Sequence, residues 1–293
     1  MSFRDALKTK DFVVTAHVNL AQAKDAESLQ RQGEILRPAV DAVQLTDTTQ
    51  VHMSGIAAAA ILKQQRIDPI VHMNCRDRNR IALQKDFLGV AALGVTSVLV
   101  MRGKKIRDKD NLGARNVFDM PALEFMAFIE SLKNTENASL ASDFLVGASA
   151  ELFNPGNNWT PNNLNRKCDA GANFIQTQLC FDMRVVRNYM AHIVGAKLTH
   201  RASFIMALSP FPSADVARWM RDNYRELMGA FPDLGTGISI APYNAEGALP
   251  VRNFRDGHLE GADAIGREGM AEKVVARMES CYACPVGCKK VVE

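Results

Sequence analysis

Several things are missing from this sequence, and each absence removes a class of protein. No run reaches 18 apolar residues, so no transmembrane helix is expected, and the opening MSFRDALKTKDFVV lacks the apolar stretch of a secretory signal. Charge of one sign is missing too. The 35 basic and 32 acidic residues are interleaved to a net +3, which argues against the concentrated basic face of a dedicated nucleic-acid binder. There is no internal repeat, no low-complexity tract and no G-x-G-x-x-G after the first candidate strand, so a Rossmann reading is weak. Cysteines are few, and Cys75, Cys168 and Cys180 stand alone in apolar contexts where buried free thiols are common. The expected setting is the cytoplasm, with no membrane and no nucleic acid as partner.

What is present is material for a core. With 47% hydrophobic and 23% charged residues, the 293-residue chain suffices for one large domain or two modest ones. Short apolar runs at Phe12–Asn19, Ala42–Leu45, Pro69–Met73, Ser97–Met101, Leu145–Ser149, Phe174–Gln178 and Ser203–Leu208 read as strands. Helical spacing predicts helices between them over Asp25–Leu36, Ser54–Gln65, Arg76–Leu93, Met120–Leu132, Asn162–Ala170 and Met183–Val194. Near-continuous apolar strands alternating with helices imply βα units around a buried parallel sheet. Seven such strands predict a (β/α)8 TIM-type barrel, a fold typically of about 250 residues. Gly237–Ile240 is the best candidate for the eighth strand. The texture changes from Phe211 onward, with Pro and Gly punctuation, which places a boundary between 211 and 235. The division expected is a barrel over 1–234 and a Cys-rich appendage over 235–293.

In a barrel of this kind the chemistry sits at the C-terminal strand ends. Polar residues collect at six of them: His17 and Asn19; Thr46, Asp47, Thr48 and Thr49; His72, Asn74, Arg76 and Asp77; Arg102 and Lys104; Glu151 and Asn154; Gln176 and Gln178. Any one of these is ordinarily a solvated loop residue or a structural hydrogen bond. Their coincidence describes a polar basin at one mouth. Trp159, in the Asn/Pro-rich loop NPGNNWTPNN, is either a loop cover or a stacking surface.

Residues 71–103, VHMNCRDRNRIALQKDFLGVAALGVTSVLVMRG, closely resemble the core of the methylenetetrahydrofolate reductase family, and AGANFIQTQLCFD (170–182) is similar to another signature of that family. VVTAHVNLAQAKDAESL and VDAVQLTDTTQVHMS resemble its first two strands. The resemblance implies a (β/α)8 barrel with FAD at the strand C-termini, passing a hydride between NADH or NADPH and a tetrahydrofolate one-carbon unit. Residue by residue it implies His72 beside the flavin, Thr46 or Thr48 as the second-strand contact, and Arg102 near the pyrophosphate. It also implies Lys167 as a cofactor contact and Gln178, with Gln176 beside it, as the pterin contact. A Gln amide both donates and accepts, which suits a pterin edge.

The sequence departs from that family at two positions. His17 stands where the family has a catalytic Glu, and Lys104 where it has an Asp after the fourth strand. A Lys beside a flavin stabilises the anionic reduced form, so the expectation is a protein poised to oxidise methyltetrahydrofolate. His17 is expected to replace Glu as acid–base group, since the unperturbed imidazole pKa of about 6.5 suits work near neutrality. Two rival expectations are a flavin-free tetrahydrofolate-dependent methyltransferase or demethylase, and a folate-binding subunit of a larger redox complex.

The tail carries C-x-x-C-P-x-G-C at Cys281, Cys284 and Cys288, preceded by GALPVRNF. It resembles part of the aldehyde ferredoxin oxidoreductase family, in which such cysteines help to bind an iron–sulfur cluster. Three thiolates at this spacing suit an iron–sulfur cluster with an outside ligand, or zinc with a nitrogen or water; the alternative is a remnant with no metal. The partners expected are a tetrahydrofolate derivative, a redox partner protein and further copies of the chain in a homo-oligomer.

Overall fold

Seven strands follow one another in chain order and pair in that order, every neighbour parallel: β1 (Thr15–Val18), β2 (Ala42–Leu45), β3 (Pro69–Asn74), β4 (Ser97–Met101), β5 (Leu145–Ala150), β6 (Phe174–Thr177) and β7 (Ser203–Met206). This computed structural model describes residues 2–10, 13–18, 20, 23–38, 40–49, 51–106, 113–135, 144–178, 180, 183–207 and 249–250. Among the described residues seven α-helices accompany the strands: α1 (Phe3–Thr9), α2 (Ala26–Leu36), α3 (Gly55–Gln64), α4 (Arg80–Ala92), α5 (Ala122–Ser131), α6 (Asn162–Asp169) and α7 (Met183–Gly195). The sheet curls into a half-barrel, the TIM-type α/β arrangement expected. Among the described residues, the eighth strand of the sheet is the pair Leu249–Pro250, antiparallel to β7. The candidate strand 237–240, the boundary at 211–235 and the cysteines at 281, 284 and 288 lie outside the described residues. No described helix is long and apolar enough to cross a membrane.

Strand alternation sorts the side chains into two sets. Val43, Leu45, Val71, Met73, Val98, Val100, Val146, Ala148 and Ile175 pack outward with helix residues such as Leu62, Leu83, Phe87 and Phe125. The intervening residues face inward. At the N-terminal end of the strands they form an apolar floor of Ala42, Ile70, Leu99, Phe174 and Ile205. Helix α1, which strand periodicity gave no reason to expect, closes this end by burying Phe3, Ala6 and Leu7 against it. A reciprocal cap between Ser2 and Asp5 starts the helix. The Phe3 amide donates to Asp68 Oδ2 (2.7 Å), tying the plug to the segment before β3, and burial raises the Asp68 pKa. The Phe174 ring lies across Gly147, its register partner, and a Cβ at that glycine would overlap the ring.

One boundary differs from expectation. The helix predicted from Arg76 begins at Arg80, capped by Asn79 Oδ1 accepting from the Ala82 amide (2.9 Å). Arg76 and Arg78 are not a charged first turn. They are drawn sideways into ion pairs with Asp77, Asp47 and Asp86, and the segment 75–79 becomes part of the mouth.

Candidate active site

Above the apolar floor the inward-facing set turns polar. Gln44 of β2 is almost fully buried, and its amide is gripped on both sides. Its Nε2 donates to Thr15 Oγ1 (2.6 Å), while its Oε1 lies 2.8 Å from His17 Nε2 and 2.9 Å from His72 Nε2. The two imidazoles meet edge to face with centroids 5.3 Å apart. Gln176 of β6 reaches across the barrel to His17, with 3.3 Å between its Nε2 and the imidazole Nε2. Strands 1, 2, 3 and 6 thus contribute to one hydrogen-bonded cluster. Burial, and then the neighbouring His17, hold the His72 pKa well below 6.5, so His72 is neutral at physiological pH.

Beside this cluster the β2–α3 and β3–α4 connections enclose a cavity of about 310 Å³, lined by His72, Asp47, Thr48, His52, Arg76 and Arg78 among others. Arg76 is buried and grips Asp77 through Nε and Nη2 (both 2.5 Å), and Nη2 also donates to the Thr48 carbonyl oxygen (2.9 Å). Arg78 donates to Asp47 Oδ2 (2.7 Å) and Asp86 Oδ2 (2.8 Å). These carboxylates, more than offsetting burial, raise its pKa above the usual arginine value. Gly103 has φ +81°, and a Cβ there would stand 2.8 Å from the Arg76 Cβ, so only glycine lets the β4 end pass this corner. In the same cavity His52 Nδ1 lies 2.7 Å from the Met53 carbonyl oxygen. That contact makes Nδ1 a donor, and the buried Nε2 has no hydrogen-bond partner.

A larger cleft, about 910 Å³, opens over the ends of β4, β5 and β6. It brings together Arg102, Lys167 and Gln178, with Glu151, Arg166 and the aromatic residues Phe153, Trp159 and Tyr189. Phe153 meets Trp159 edge to face at 5.5 Å, and Trp159 lies tilted over Tyr189 at 5.6 Å. The Arg102 guanidinium sits 4.9 Å from the centroid of the Phe118 ring. Lys167 Nζ donates to the Ser149 carbonyl oxygen (2.5 Å), and burial lowers its pKa against the opposing pull of Glu151. Tyr189 is pushed above the usual phenol value by burial and then by Glu151. Cys75 lines this cleft whereas the adjacent Arg76 lines the smaller cavity, so the residues after β3 form the wall between the two.

The candidate residues therefore fall in three places. His17, His72 and Gln176 share the buried cluster; Thr48 and His72 border the smaller cavity; Arg102, Lys167 and Gln178 line the cleft. Thr46 is half-buried just past β2 and lines neither space. Lys104 is exposed two residues beyond Arg102 and also lines neither. Sequence reasoning passed over Gln44, Thr15, Arg78 and His52. For Gln44 a signal existed: it is the polar interruption of the apolar run AVQL, on the same strand face as the inward-facing Ala42. Among the described residues, no group of three His, Cys, Asp or Glu side chains is placed to hold a metal.

The C-terminal segment matches the model "Aldehyde ferredoxin oxidoreductase, domains 2 & 3" over residues 215–293. The tungsten-containing aldehyde ferredoxin oxidoreductase of Pyrococcus furiosus is 40% identical over 114 residues, 36% of this chain and 19% of that protein. Its counterpart from Thermococcus kodakarensis is 40% identical over 63 residues, 22% of this chain and 10% of that protein. The chain spans about a fifth or less of these relatives. Among solved structures, a 2,3-dimethylmalate lyase of the PEP mutase/isocitrate lyase superfamily has a TM-score of 0.46 and 16% identity, over 90% of this chain and 94% of that one. The family model "Methylenetetrahydrofolate reductase" matches residues 18–221, which carry both cavities and, of the polar cluster, Gln44, His72 and Gln176. On that match over most of its length, the chain belongs to the methylenetetrahydrofolate reductase family.

Proposed function

We propose that the mouth of this barrel interconverts 5,10-methylenetetrahydrofolate and 5-methyltetrahydrofolate, with FAD in the large cleft and NADH or NADPH as the second substrate. The observation that carries the reading is the cleft itself, which brings Arg102, Lys167 and Gln178 together from three parts of the chain. The residues fit a flavin dinucleotide. Lys167 is an ammonium short of solvent with a single carbonyl as hydrogen-bond acceptor, and a phosphate would restore its lost hydration. Arg102 and Arg166 add charge, and Phe153 and Trp159 supply aromatic surface.

When bound, FAD supplies a two-electron acceptor or donor. Gln178 orients the pterin through its amide. In the oxidative sense a methyl hydrogen leaves with its electron pair, and a proton is released as the one-carbon unit closes onto the second folate nitrogen. His17 is the group proposed to take that proton, and to return it in the reductive sense. The oxidative preference rests on Lys104, whose positive charge favours an anionic reduced cofactor; its exposure to solvent keeps the bias small.

The chain is proposed to divide into a barrel over 1–234 and an appendage over 235–293, in which Cys281, Cys284 and Cys288 hold an iron–sulfur cluster or zinc and meet a redox partner protein. The likeness of that segment to aldehyde ferredoxin oxidoreductases supports this reading.

Calorimetric titration of the purified full chain with 5-methyltetrahydrofolate tests the pterin site. The reading expects saturable binding, weakened about tenfold or more in Gln178→Ala, on the scale of lost hydrogen bonds to a bound ligand. Binding that is absent, or indifferent to Gln178, would remove it. A colourless protein that binds folate would favour the flavin-free methyltransferase reading instead.

A further inference from the structure

The buried cluster has a hub, and the hub is not one of the histidines. Gln44 Oε1 lies within hydrogen-bond distance of His17 Nε2 (2.8 Å) and His72 Nε2 (2.9 Å). An amide oxygen only accepts, so both imidazole Nε2 atoms must carry protons. With the Gln44 amide turned the other way, the single Nε2 lone pair of His17 would meet a second donor or an oxygen from Gln176, and neither gives that contact a hydrogen bond of its own. Thr15 Oγ1, 2.6 Å from Gln44 Nε2, accepts from the other end of the amide.

The same logic assigns Gln176. With His17 Nε2 committed as a donor, the contact at 3.3 Å joins two donors as placed, while Gln176 Oε1 is buried without a partner. Rotating that amide by half a turn puts its oxygen against the His17 N–H. Among the described residues, Gln44 on β2 and Gln176 on β6 meet His17 as uncharged groups, and His72 on β3 meets it as a titratable one.

We propose that Gln44 is a positioning residue: its single side-chain oxygen holds the Nε2 protons of His17 and His72 together, and so confines proton exchange by His17 to Nδ1. This deepens the reading of His17 as the acid–base group and, for its catalytic consequence, rests on it. Gln44 touches no reacting atom. It sets which nitrogen of the acid–base group does the work.

The test is nitrogen NMR of the full chain labelled in histidine, with no substrate added. The expected result near neutral pH is the Nε2–H tautomer for both His17 and His72. In Gln44→Glu a carboxylate replaces the shared acceptor, so His17 should titrate about 1–3 pH units higher, and the acidic limb of the oxidative pH–rate profile should rise with it. Gln44→Leu should lose the tautomer preference; if it does not fold, the wild-type tautomers decide alone. A purely structural glutamine would change stability and leave both Nε2–H tautomers in place in Gln44→Leu. That outcome, or a wild-type proton on Nδ1 of either imidazole, overturns the proposal. Correct tautomers in a chain that never turns over a folate would count against the proposed function and leave the role of Gln44 standing.

Discussion

The floor and the mouth of this barrel are built by the same strands and obey opposite rules. One inward-facing position on β2, β3 and β6 is Ala42, Ile70 or Phe174, and two residues further on it is Gln44, His72 or Gln176. The lower layer removes apolar surface from water and is closed by α1. The upper layer buries amides and imidazoles, each of which is costly unless its partners are in place. A fold seeking stability alone would have continued the lower pattern upward. The change over two residues marks where the chain gives up packing for chemistry.

The largest effect that would sharpen this contrast is at the floor. Phe174→Ala should cost about 3–5 kcal/mol of stability by urea denaturation, while leaving the His17 and His72 tautomers unchanged. If the histidine signals moved, the two layers would not be separable. From the opposite direction, Gly147→Ala sets a methyl group into the Phe174 ring and should cost about 1–3 kcal/mol by overpacking, read in the same way.

The mouth should reveal itself through pH. The pKa of His72 is lowered by folding, so the unfolded chain takes up a proton there before the native chain does. Its share of stability is intact above about pH 6.5 and is lost as pH falls below it, by up to about 1.4 kcal/mol per pH unit until the folded group also titrates. Urea midpoints across this range should therefore slope less in His72→Asn than in the wild type. Equal slopes would mean that His72 binds its proton alike in the folded and unfolded chain. A smaller effect concerns Cys75, whose thiol is pushed up to about 11 by burial despite the opposing Arg78. Alkylating reagents near neutral pH should leave it unmodified, as mass spectrometry of the digested protein can check. The smallest effect is expected at Lys104→Asp. With the residue exposed, the flavin potential should fall by a modest, salt-sensitive amount, and no change at low salt would remove the argument for oxidative poise.

How far this was legible in the sequence follows from which forces are local. The strands were visible because buried parallel strands are short apolar runs, and AVQL, PIVHMN and SVLVM are hardly anything else. The cleft residues Arg102, Lys167 and Gln178 were found through family motifs, and the fold brings them to one space. Gln44 was missed because its meaning depends on register. Only when His17 is set opposite Gln44 does the glutamine meet an imidazole, and no pattern within either strand encodes that pairing. Arg76 and Arg78 were read as a helix start for a related reason. Their partners Asp47 and Asp86 lie 31 and 8 residues from Arg78, beyond the reach of helical periodicity.

The most direct test of the account is an anaerobic absorption titration of freshly purified full-length protein with 5-methyltetrahydrofolate. The account predicts a bound flavin whose visible band bleaches as the folate is added, and bleaching that is suppressed in Gln178→Ala. A protein that carries flavin but keeps its colour in excess methyltetrahydrofolate, while the pterin is shown to bind, would contradict it.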